Sequence, residues 1–334
     1  MRAILAMIFA FLLPATAQAH ELWFIDPHSD IMPARPELFT QPTALGVYLI
    51  AAAAIVFVLL VAFRKWYVES PLVKRFEKRF IFPFHARQIL AALIGVDLVW
   101  NALGGSLFAP NLLLPQDIGG IIVMWVAVIV GMLMIFFEYF LFECSIVLFA
   151  LFVYMSIGAG PSAMMQQLLF AGSALFLGAT SPRTWFKKPI SLAHRQRAYD
   201  VFRIFCGLNF LALAALKWMN PELDLKLIVD YPAMNFMSGL GMEPATFAFC
   251  VALVETIAAL AIIFNLFVRP FAMVLVPMFT LSAFILGPKE VVGHLPIQAA
   301  LAALILYGHT YMSKYRTHLE FHGATTQAFE KLPI

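Results

Sequence analysis

Two carboxylic residues interrupt long apolar stretches of this 334-residue sequence. Asp97 and Glu255 each lie about ten residues inside an apolar segment, and an ionised side chain at the centre of a bilayer costs about 2.5–3.5 kcal/mol or more. We therefore expect both side chains to face the interior of a helix bundle. One interpretation is a proton path, because a buried carboxyl can hold and release a proton. The other interpretation is hydrogen bonding between helices.

Three further polar residues accompany these carboxyls. Asn101 follows Asp97 by one helical turn on the same face, and Asn209 lies at a similar depth in a later apolar helix. Lys217 lies near the end of that later helix, where a lysine commonly extends its amine to the membrane surface. Each of these residues is a candidate for either a functional or a packing role.

A separate set of residues could bind metal on the exported side of the membrane. Cleavage of a signal peptide would leave His20 as the first residue, and its free amine and imidazole can chelate copper together. His28 is the other candidate copper ligand, and several methionines share that side. The alternative is that these methionines and nearby aromatic residues pack at the membrane surface.

Several chemistries lack support in the sequence. It contains no Gly-x-Gly-x-x-Gly, Walker-type, His-Glu-x-x-His, Cys-x-x-Cys-His or Gly-x-Ser-x-Gly motif, which argues against nucleotide, zinc-protease, c-type haem and serine acyl-transfer sites. The three cysteines form no Cys-x-x-Cys pair. His309 has no second histidine well inside a span, so no haem is expected.

Composition predicts an all-α polytopic membrane protein. The chain is 62% hydrophobic and only 12% charged, whereas soluble domains have about 25% charged residues. Backbone groups that cross a bilayer must be hydrogen-bonded within helices. We expect about nine transmembrane helices, at about 44–63, 87–105, 118–137, 144–159, 163–180, 200–218, 245–265, 268–286 and 293–312.

The N-terminus has the pattern of a cleavable signal peptide, and the loops indicate an orientation. A basic Arg2, an apolar stretch over 3–13 and the sequence Ala17-Gln18-Ala19 predict cleavage before His20. Lysine and arginine concentrate after the first, fifth and ninth spans, which places those loops in the cytoplasm. We expect a bacterial inner-membrane protein with a periplasmic mature N-terminus and a cytoplasmic C-terminus.

Two four-helix blocks, about 85–180 and 194–312, have similar beginnings. Superposition of their first apolar helices gives three pairs: Gly95 and Gly207, Asp97 and Asn209, and Gly105 and Lys217. Repeats of four spans would be parallel in the membrane. The seam between the two repeats is the expected place for a site.

Five short motifs of the second block fit one family pattern. They are Arg203 to Gly207, Leu216-Lys217-Trp218, Leu240-Gly241-Met242-Glu243-Pro244, Val254-Glu255 and Phe267-Val268-Arg269-Pro270. With these motifs the block resembles the DoxX-like superfamily of small four-helix membrane proteins, and Lys217 matches a lysine of the family pattern. The resemblance implies a membrane protein that, in some members, is linked to quinone-dependent oxidation of small sulfur compounds or helps a partner oxidoreductase. In the first block Gly105 replaces that lysine, and the counterpart of Glu255 is either Glu143 or Val128.

Together these features predict an inner-membrane component of a quinone-linked redox system. Glu255, Asp97 and Lys217 are the candidate residues for proton transfer or quinone binding, and Asn101 and Asn209 are candidate cofactor-binding residues. The alternatives are an exported-face copper-binding or copper-handling protein and a non-catalytic scaffold subunit. The expected partners are the lipid bilayer, a quinone and an oxidoreductase subunit, and no nucleic acid.

The sequence also predicts a division of the chain. The expected parts are a signal peptide (1–19), an exported arm (20–43), a first transmembrane helix (44–63), a basic cytoplasmic loop (64–84), repeat A (85–180), a cytoplasmic loop (181–193), the DoxX-like repeat B (194–312) and a cytoplasmic tail (313–334).

Overall fold

Helices make up most of the chain in the computed structural model, which describes residue 25 and residues 32–41, 43–78, 83–181 and 191–307. The longer helices are α1 (Ala44–Glu69), α2 (Pro71–Lys78), α3 (Pro83–Leu103), α4 (Ile118–Phe136), α5 (Leu141–Gly158), α6 (Leu168–Thr180), α7 (Leu192–Met219), α8 (Pro221–Asp230), α9 (Pro244–Ile263), α10 (Val268–Leu286) and α11 (Pro288–Tyr307). Short helical segments cover Glu37–Thr40, Glu138–Phe140, Pro161–Met165, Pro232–Met234 and Ser238–Leu240, and strands β1 (Ser106–Leu107) and β2 (Ala109–Leu113) form an antiparallel hairpin.

Eight helices of the described residues are long and apolar enough to cross a bilayer: α1, α3, α4, α5, α7, α9, α10 and α11. The prediction of an all-α polytopic membrane protein is confirmed. The remaining predicted span, 163–180, contains α6, which has 13 residues and is therefore about 20 Å long. That length is below the roughly 30 Å of bilayer hydrocarbon. A turn at Gln166 and Gln167 separates α6 from Pro161–Met165 and shortens it.

Local sequence signals explain where several helices begin. The side chains of Thr43, Asp117 and Ser191 accept hydrogen bonds from the backbone N–H groups at the starts of α1, α4 and α7, which would otherwise lack partners. Helices α8 and α9 begin with Pro221 and Pro244. Proline is common at the first helical position because the N–H group that it lacks would have no partner within the helix.

Two groups of four helices pack in the same pattern: α3 to α6, and α7 with α9 to α11. We call Pro83–Thr180 the first block and Leu192–Tyr307 the second block. The opening helix of each block, α3 or α7, packs against the second helix of its own block, α4 or α9. It also packs against the last helix of the other block, so that α3 contacts α11 and α7 contacts α6. The two blocks are therefore interlocked through their first and last helices.

A glycine brings the first and second helices of each block close together. A Cβ atom added at Gly95 in α3 would lie 2.6 Å from the carbonyl oxygen of Gly131 in α4. A Cβ atom added at Gly207 in α7 would lie 2.5 Å from Ile263 Cγ1 and 3.0 Å from the Ala259 carbonyl oxygen in α9. Both positions need glycine for the same reason, and they are the two glycines that the sequence superposition pairs.

The connections between the first two helices differ between the blocks. In the first block the β-hairpin joins α3 to α4, and its residues Leu107, Phe108 and Ala109 are buried. The Phe108 ring lies 4.4 Å from the ring of Phe170, centroid to centroid. In the second block α8 and two 3₁₀ turns join α7 to α9. Neither the hairpin nor α8 was predicted from the sequence.

Candidate functional site

The larger of the two best-formed cavities among the described residues lies inside the second block and has a volume of about 130 Å³. Helices α7, α8, α9, α10 and α11 all contribute to its wall. Most wall residues are apolar, but one group of polar side chains also lines it: Lys217, Asp224, Glu255, Ser282, Glu290 and His294. Two of the predicted site residues, Lys217 and Glu255, thus share one cavity.

Lys217 forms an ion pair with Asp224 across the junction of α7 and α8. The distance from Lys217 Nζ to Asp224 Oδ1 is 2.9 Å, and both side chains are mostly buried. The chain turns at Asn220 and Pro221, where α7 ends and α8 begins, so the first turn of α8 returns Asp224 to the lysine. The amine of Lys217 therefore points into the protein, whereas a snorkelling lysine would extend into the interface.

Glu255 lies on α9 and is buried. Its neighbour Thr256 accepts a hydrogen bond of 3.1 Å from the Trp218 indole N–H of α7. Because Trp218 follows Lys217 and Thr256 follows Glu255, this bond fixes the register of α7 against α9. The lysine and the glutamate are thereby held at the same level of the bundle and at the same cavity.

A histidine and a glutamate of α11 complete the polar wall. Glu290 Oε1 lies 3.2 Å from His294 Nε2, and the two residues are only 1% and 4% exposed. The other imidazole nitrogen, Nδ1, lies 3.4 Å from Ser282 Oγ on α10. The Phe279 ring packs edge-on against the imidazole at 5.0 Å. The imidazole thus connects the Glu290 carboxyl to the Ser282 hydroxyl.

The Glu290–His294 pair was not predicted from the sequence, because the predicted ninth span began after Glu290. The spacing of four residues was the available signal, because side chains at i and i+4 of a helix are neighbours. That signal requires α11 to begin at Pro288, as it does in the structure.

The N-terminal segment before α1 covers this end of the second block. The Phe39 ring contacts the rings of Trp218 and Phe249 at centroid distances of 5.4 and 5.1 Å. Arg35 donates a hydrogen bond of 3.2 Å to the Trp218 carbonyl oxygen. Ile25 is buried in a small cluster with Leu223 and Leu227 of α8, so the segment also packs on the helix that carries Asp224.

Asp97 and Asn101 lie apart from this cavity, on α3 of the first block. Asp97 is completely buried, and its Oδ1 accepts a hydrogen bond of 2.9 Å from Asn101 Nδ2. Its Oδ2 has no hydrogen-bond partner within the described part of the chain. The two residues line neither of the two best-formed cavities, so the structure does not bring them together with Lys217 and Glu255.

Asn209 caps another helix. Its Oδ1 accepts a hydrogen bond of 3.1 Å from the backbone N–H of Leu169, in the first turn of α6. The four N–H groups that begin a helix have no partner within it, so this side chain satisfies one of them from a neighbouring block. Packing therefore accounts for Asn209 without a cofactor.

A smaller cavity of about 30 Å³ lies at the seam between the blocks, and Asn209 lines it. Asn111, Gln166 and Gln167 add further amide groups to its wall. Its volume suits a single water molecule. Leu213 and Ile297 line both cavities, so they separate the two. The seam, where the sequence led us to expect the site, thus holds the smaller cavity, and the larger one lies within the second block.

The predicted copper ligands His20 and His28, like His309, lie outside the described residues. Among the described residues no group of three or more histidine, cysteine, aspartate or glutamate side chains could hold a metal ion. The copper alternative therefore stays a prediction from the sequence.

The fold and the cavity define a class of protein, a multi-pass helical membrane protein with a polar cluster buried in its second block. Residues 198–288 of the chain match the model of the DoxX family, which confirms the resemblance found in the sequence motifs. The match contains Lys217, Asp224 and Glu255, whereas Glu290 and His294 follow its end. No curated protein and no solved structure matches the chain in the comparisons made.

Proposed function

We propose that this protein is a membrane component of a quinone-linked redox system and that its larger cavity binds the quinone head group. One observation carries the proposal: an otherwise apolar cavity in a membrane bundle holds Lys217, Glu255 and the Glu290–His294 pair together. Ionisable side chains buried among transmembrane helices typically mark proton, ion or substrate pathways.

The size and polarity of the cavity support a ring-shaped ligand with two acceptor oxygens. Its volume is about 130 Å³, close to the roughly 150 Å³ of an engineered protein cavity that admits benzene, which supports a ligand with a single six-membered ring. The carbonyl oxygens of a quinone accept hydrogen bonds. Lys217 and the Glu290–His294 pair line the cavity from different helices, and each has a donor that would exchange its present partner for a ring oxygen of the quinone.

The proposed chemistry assigns proton delivery to this chain and electron supply to its partner. Reduction of a quinone to a quinol takes up two electrons and two protons. An oxidoreductase that oxidises a small substrate supplies both electrons. Glu255 and the Glu290–His294 pair each deliver one proton to a ring oxygen and regain it from water, because carboxyl and imidazole groups are the usual acids for such transfers.

We further propose that the protein lies in a bacterial inner membrane with its mature N-terminus in the periplasm and its C-terminal tail in the cytoplasm. Because the eight long apolar helices are an even number, this orientation requires that Pro161–Met165 and α6 together carry the chain across the bilayer as a ninth crossing. The support is the cluster of basic residues in the last two turns of α1 and in α2, including Arg64, Lys65 and Arg75, and the acidic balance of the loop over 219–244. A reporter that is active only in the periplasm should stay silent when fused at Ile334. Activity there would contradict the orientation. The signal peptide stays a prediction, and an intact mass that begins at His20 would support it.

We also propose that the two blocks derive from one duplicated four-helix unit. The matching helix contacts support this origin, as do the close contacts at Gly95 and Gly207. Gly95 contacts Gly131 of α4 and Gly207 contacts Ala259 of α9, so Gly131 and Ala259 are equivalent positions. Four residues earlier, Ala127 in α4 is therefore equivalent to Glu255 in α9. By this correspondence the first unit carries no carboxyl at the level of Glu255.

Analysis of co-purified quinone tests the proposed function. The full chain is purified in mild detergent with native lipids, and quinone and metal are quantified per protein. We expect close to one quinone per chain in the wild type and at least about tenfold less in His294→Gln, a loss of about 1.4 kcal/mol of binding free energy. His194→Gln, which changes an exposed histidine at the start of α7, should behave as the wild type.

Other outcomes assign the protein to one of the alternatives. A wild-type protein that contains no quinone and takes up no added short-chain quinone contradicts the proposal. Copper bound through His20 would then favour the copper-handling role. Neither ligand would favour the scaffold role.

A further inference from the structure

The two helices that flank the larger cavity, α9 and α10, make few contacts with each other. Helix α9 packs on α7 and helix α10 packs on α11, and only the short turn 264–267 joins the two. The cavity occupies the space between them, with Val251 on the α9 side and Met278 and Leu281 on the α10 side. The gap between these two membrane-spanning helices is therefore continuous with the cavity.

The cavity is polar at its buried end and apolar where it meets the outside. Glu290 and His294, on α11, are 1% and 4% exposed. Leu281 and Phe236 line the same cavity but are 44% and 52% exposed. Leu281 belongs to a helix whose outer face contacts hydrocarbon if it crosses a bilayer. The mouth beside Leu281 therefore opens toward lipid.

We propose that the ligand enters this cavity sideways from the bilayer, between α9 and α10, and is a membrane-resident amphiphile with a long hydrocarbon chain. Its ring lies against Lys217 and His294, and its chain leaves past Leu281 into the lipid. This inference rests on the proposed function and specifies its substrate class: an isoprenoid-tailed quinone taken from the membrane.

Volume and solvation both favour this path. A cavity of about 130 Å³ holds a ring but not a chain of many carbons, so the chain must lie outside it. Each methylene group gains about 0.8 kcal/mol on leaving water for an apolar environment, so the chain stays in hydrocarbon. The gap between α9 and α10 lets it do so while the ring reaches the polar wall.

Photo-crosslinking on the unmodified full chain tests the path directly. Two quinone probes are used in lipid nanodiscs, one with a photoreactive group on the ring and one with the group on the chain. The chain probe should label peptides of α9 and α10 near Val251 and Leu281, and the ring probe should label peptides that contain Lys217 or His294. Chain labelling confined to α7, α8 or α11 would overturn the lateral path. Absence of labelling by both probes would instead contradict the proposed function.

A variant of the mouth gives an independent readout. Leu281→Trp places a larger side chain at the mouth, and Phe284→Trp is the matched control, because Phe284 lies on the same helix, is 78% exposed and does not line the cavity. Leu281→Trp should weaken binding of a long-chain quinone at least about tenfold and should remove the advantage of long-chain over short-chain quinone. If both variants retain that advantage, the chain does not pass Leu281, and the lateral path is wrong.

Discussion

The two blocks have the same helix packing but fill the end of the bundle differently. In the first block the hairpin inserts Leu107, Phe108 and Ala109 between the helices and buries them. In the second block α8 lies at the corresponding connection, and the cavity with its polar cluster remains beneath it. The helix packing itself therefore does not specify a binding site. The segment that joins the first two helices decides whether the end of each block is filled or open.

A single pair of equivalent positions shows how the difference arises. Helix α3 ends at Leu103, and Gly105 follows it with a φ of 77°, a left-handed conformation that favours glycine. This turn starts the hairpin. At the equivalent position α7 continues as a helix and carries Lys217, which pairs with Asp224 of α8. At this position the first block has a turn at Gly105, and the second block has the charged side chain of Lys217.

The largest expected effect is the loss of stability in Lys217→Met, which breaks the charge balance of the second block. Asp224 would remain buried without its cation, and removal of one partner of a buried ion pair costs about 3–5 kcal/mol. The unfolding free energy in detergent measures this loss. Lys226→Met, at the more exposed Lys226–Asp230 pair, should cost less than about 1 kcal/mol.

A double variant separates charge from packing in this experiment. Lys217→Met with Asp224→Leu removes both charges, so it should recover most of the lost stability. If Lys217→Met alone unfolds no more easily than Lys226→Met, the ion pair does not stabilise the second block.

Next in size is the effect of a larger residue at the two glycine contacts. Gly95→Val and Gly207→Val should each destabilise the protein by about 1–3 kcal/mol, because the added atoms would overlap the backbone or a buried side chain of the neighbouring helix. Thermal unfolding in detergent measures both. Gly158→Ala, where an added Cβ meets nothing within 4 Å, is the control. Similar losses in both variants would show that the two contacts are equivalent, whereas tolerance at only one glycine would show that they are not.

Activity should then distinguish the two mid-membrane carboxyls. Glu255→Gln keeps the size of the side chain but removes its titrating proton, so quinone-linked activity should fall at least about 100-fold with unchanged stability. Asp97→Asn, in the first block, should keep activity within about twofold of the wild type. The exposed Glu243→Gln, at the start of the same helix as Glu255, is the matched control. Full activity of Glu255→Gln would assign Glu255 to packing.

The smallest expected effects are on stability, at the two positions that the sequence superposition pairs, Asp97 and Asn209. They are tested by variants of Asn209 itself and of Asn101, the hydrogen-bond donor to Asp97. Asn209→Ala removes one cap of α6 and should cost about 1 kcal/mol. Asn101→Ala should cost somewhat more, about 1–3 kcal/mol, since it leaves the Asp97 carboxyl buried without its amide donor. Thermal unfolding of the two variants side by side gives the order. If Asn209→Ala destabilises the protein more than Asn101→Ala does, capping of α6 is not the only role of Asn209.

Hydropathy alone predicted where the eight long helices lie, because a helix that crosses a bilayer must be both long and apolar. The predicted span 268–286 agrees with α10 at both ends. The prediction was poorest at 163–180, where the chain turns at Gln166 and Gln167 before α6, and the prediction included these two polar residues in a single span. The hairpin was missed because residues 106–117 lie between two predicted spans, and hydropathy does not show that a connection folds back into the bundle.

The candidate site was only partly predictable from the sequence. Glu255 stood out because a charge inside an apolar run is costly, and Lys217 because it matched a family motif. Asp224 was counted only as a loop charge, since nothing in the sequence shows that α8 folds back onto α7. Glu290 was placed in a loop for lack of a helix boundary. Each missed residue depends on how a connecting segment returns to the bundle, which is a tertiary property.

The exchange of packing partners between the blocks has a consequence for synthesis of the chain. Helix α3 completes its packing against α11, yet roughly 180 residues separate the two helices, and a ribosome adds about 5–20 residues per second. The face of α3 that will meet α11 therefore spends roughly ten to forty seconds without its native neighbour. During that time the nascent protein depends on lipid or on an insertion factor to cover a helix that carries Arg87 and Asp97. Neither block can reach its final packing before the last helix has left the ribosome.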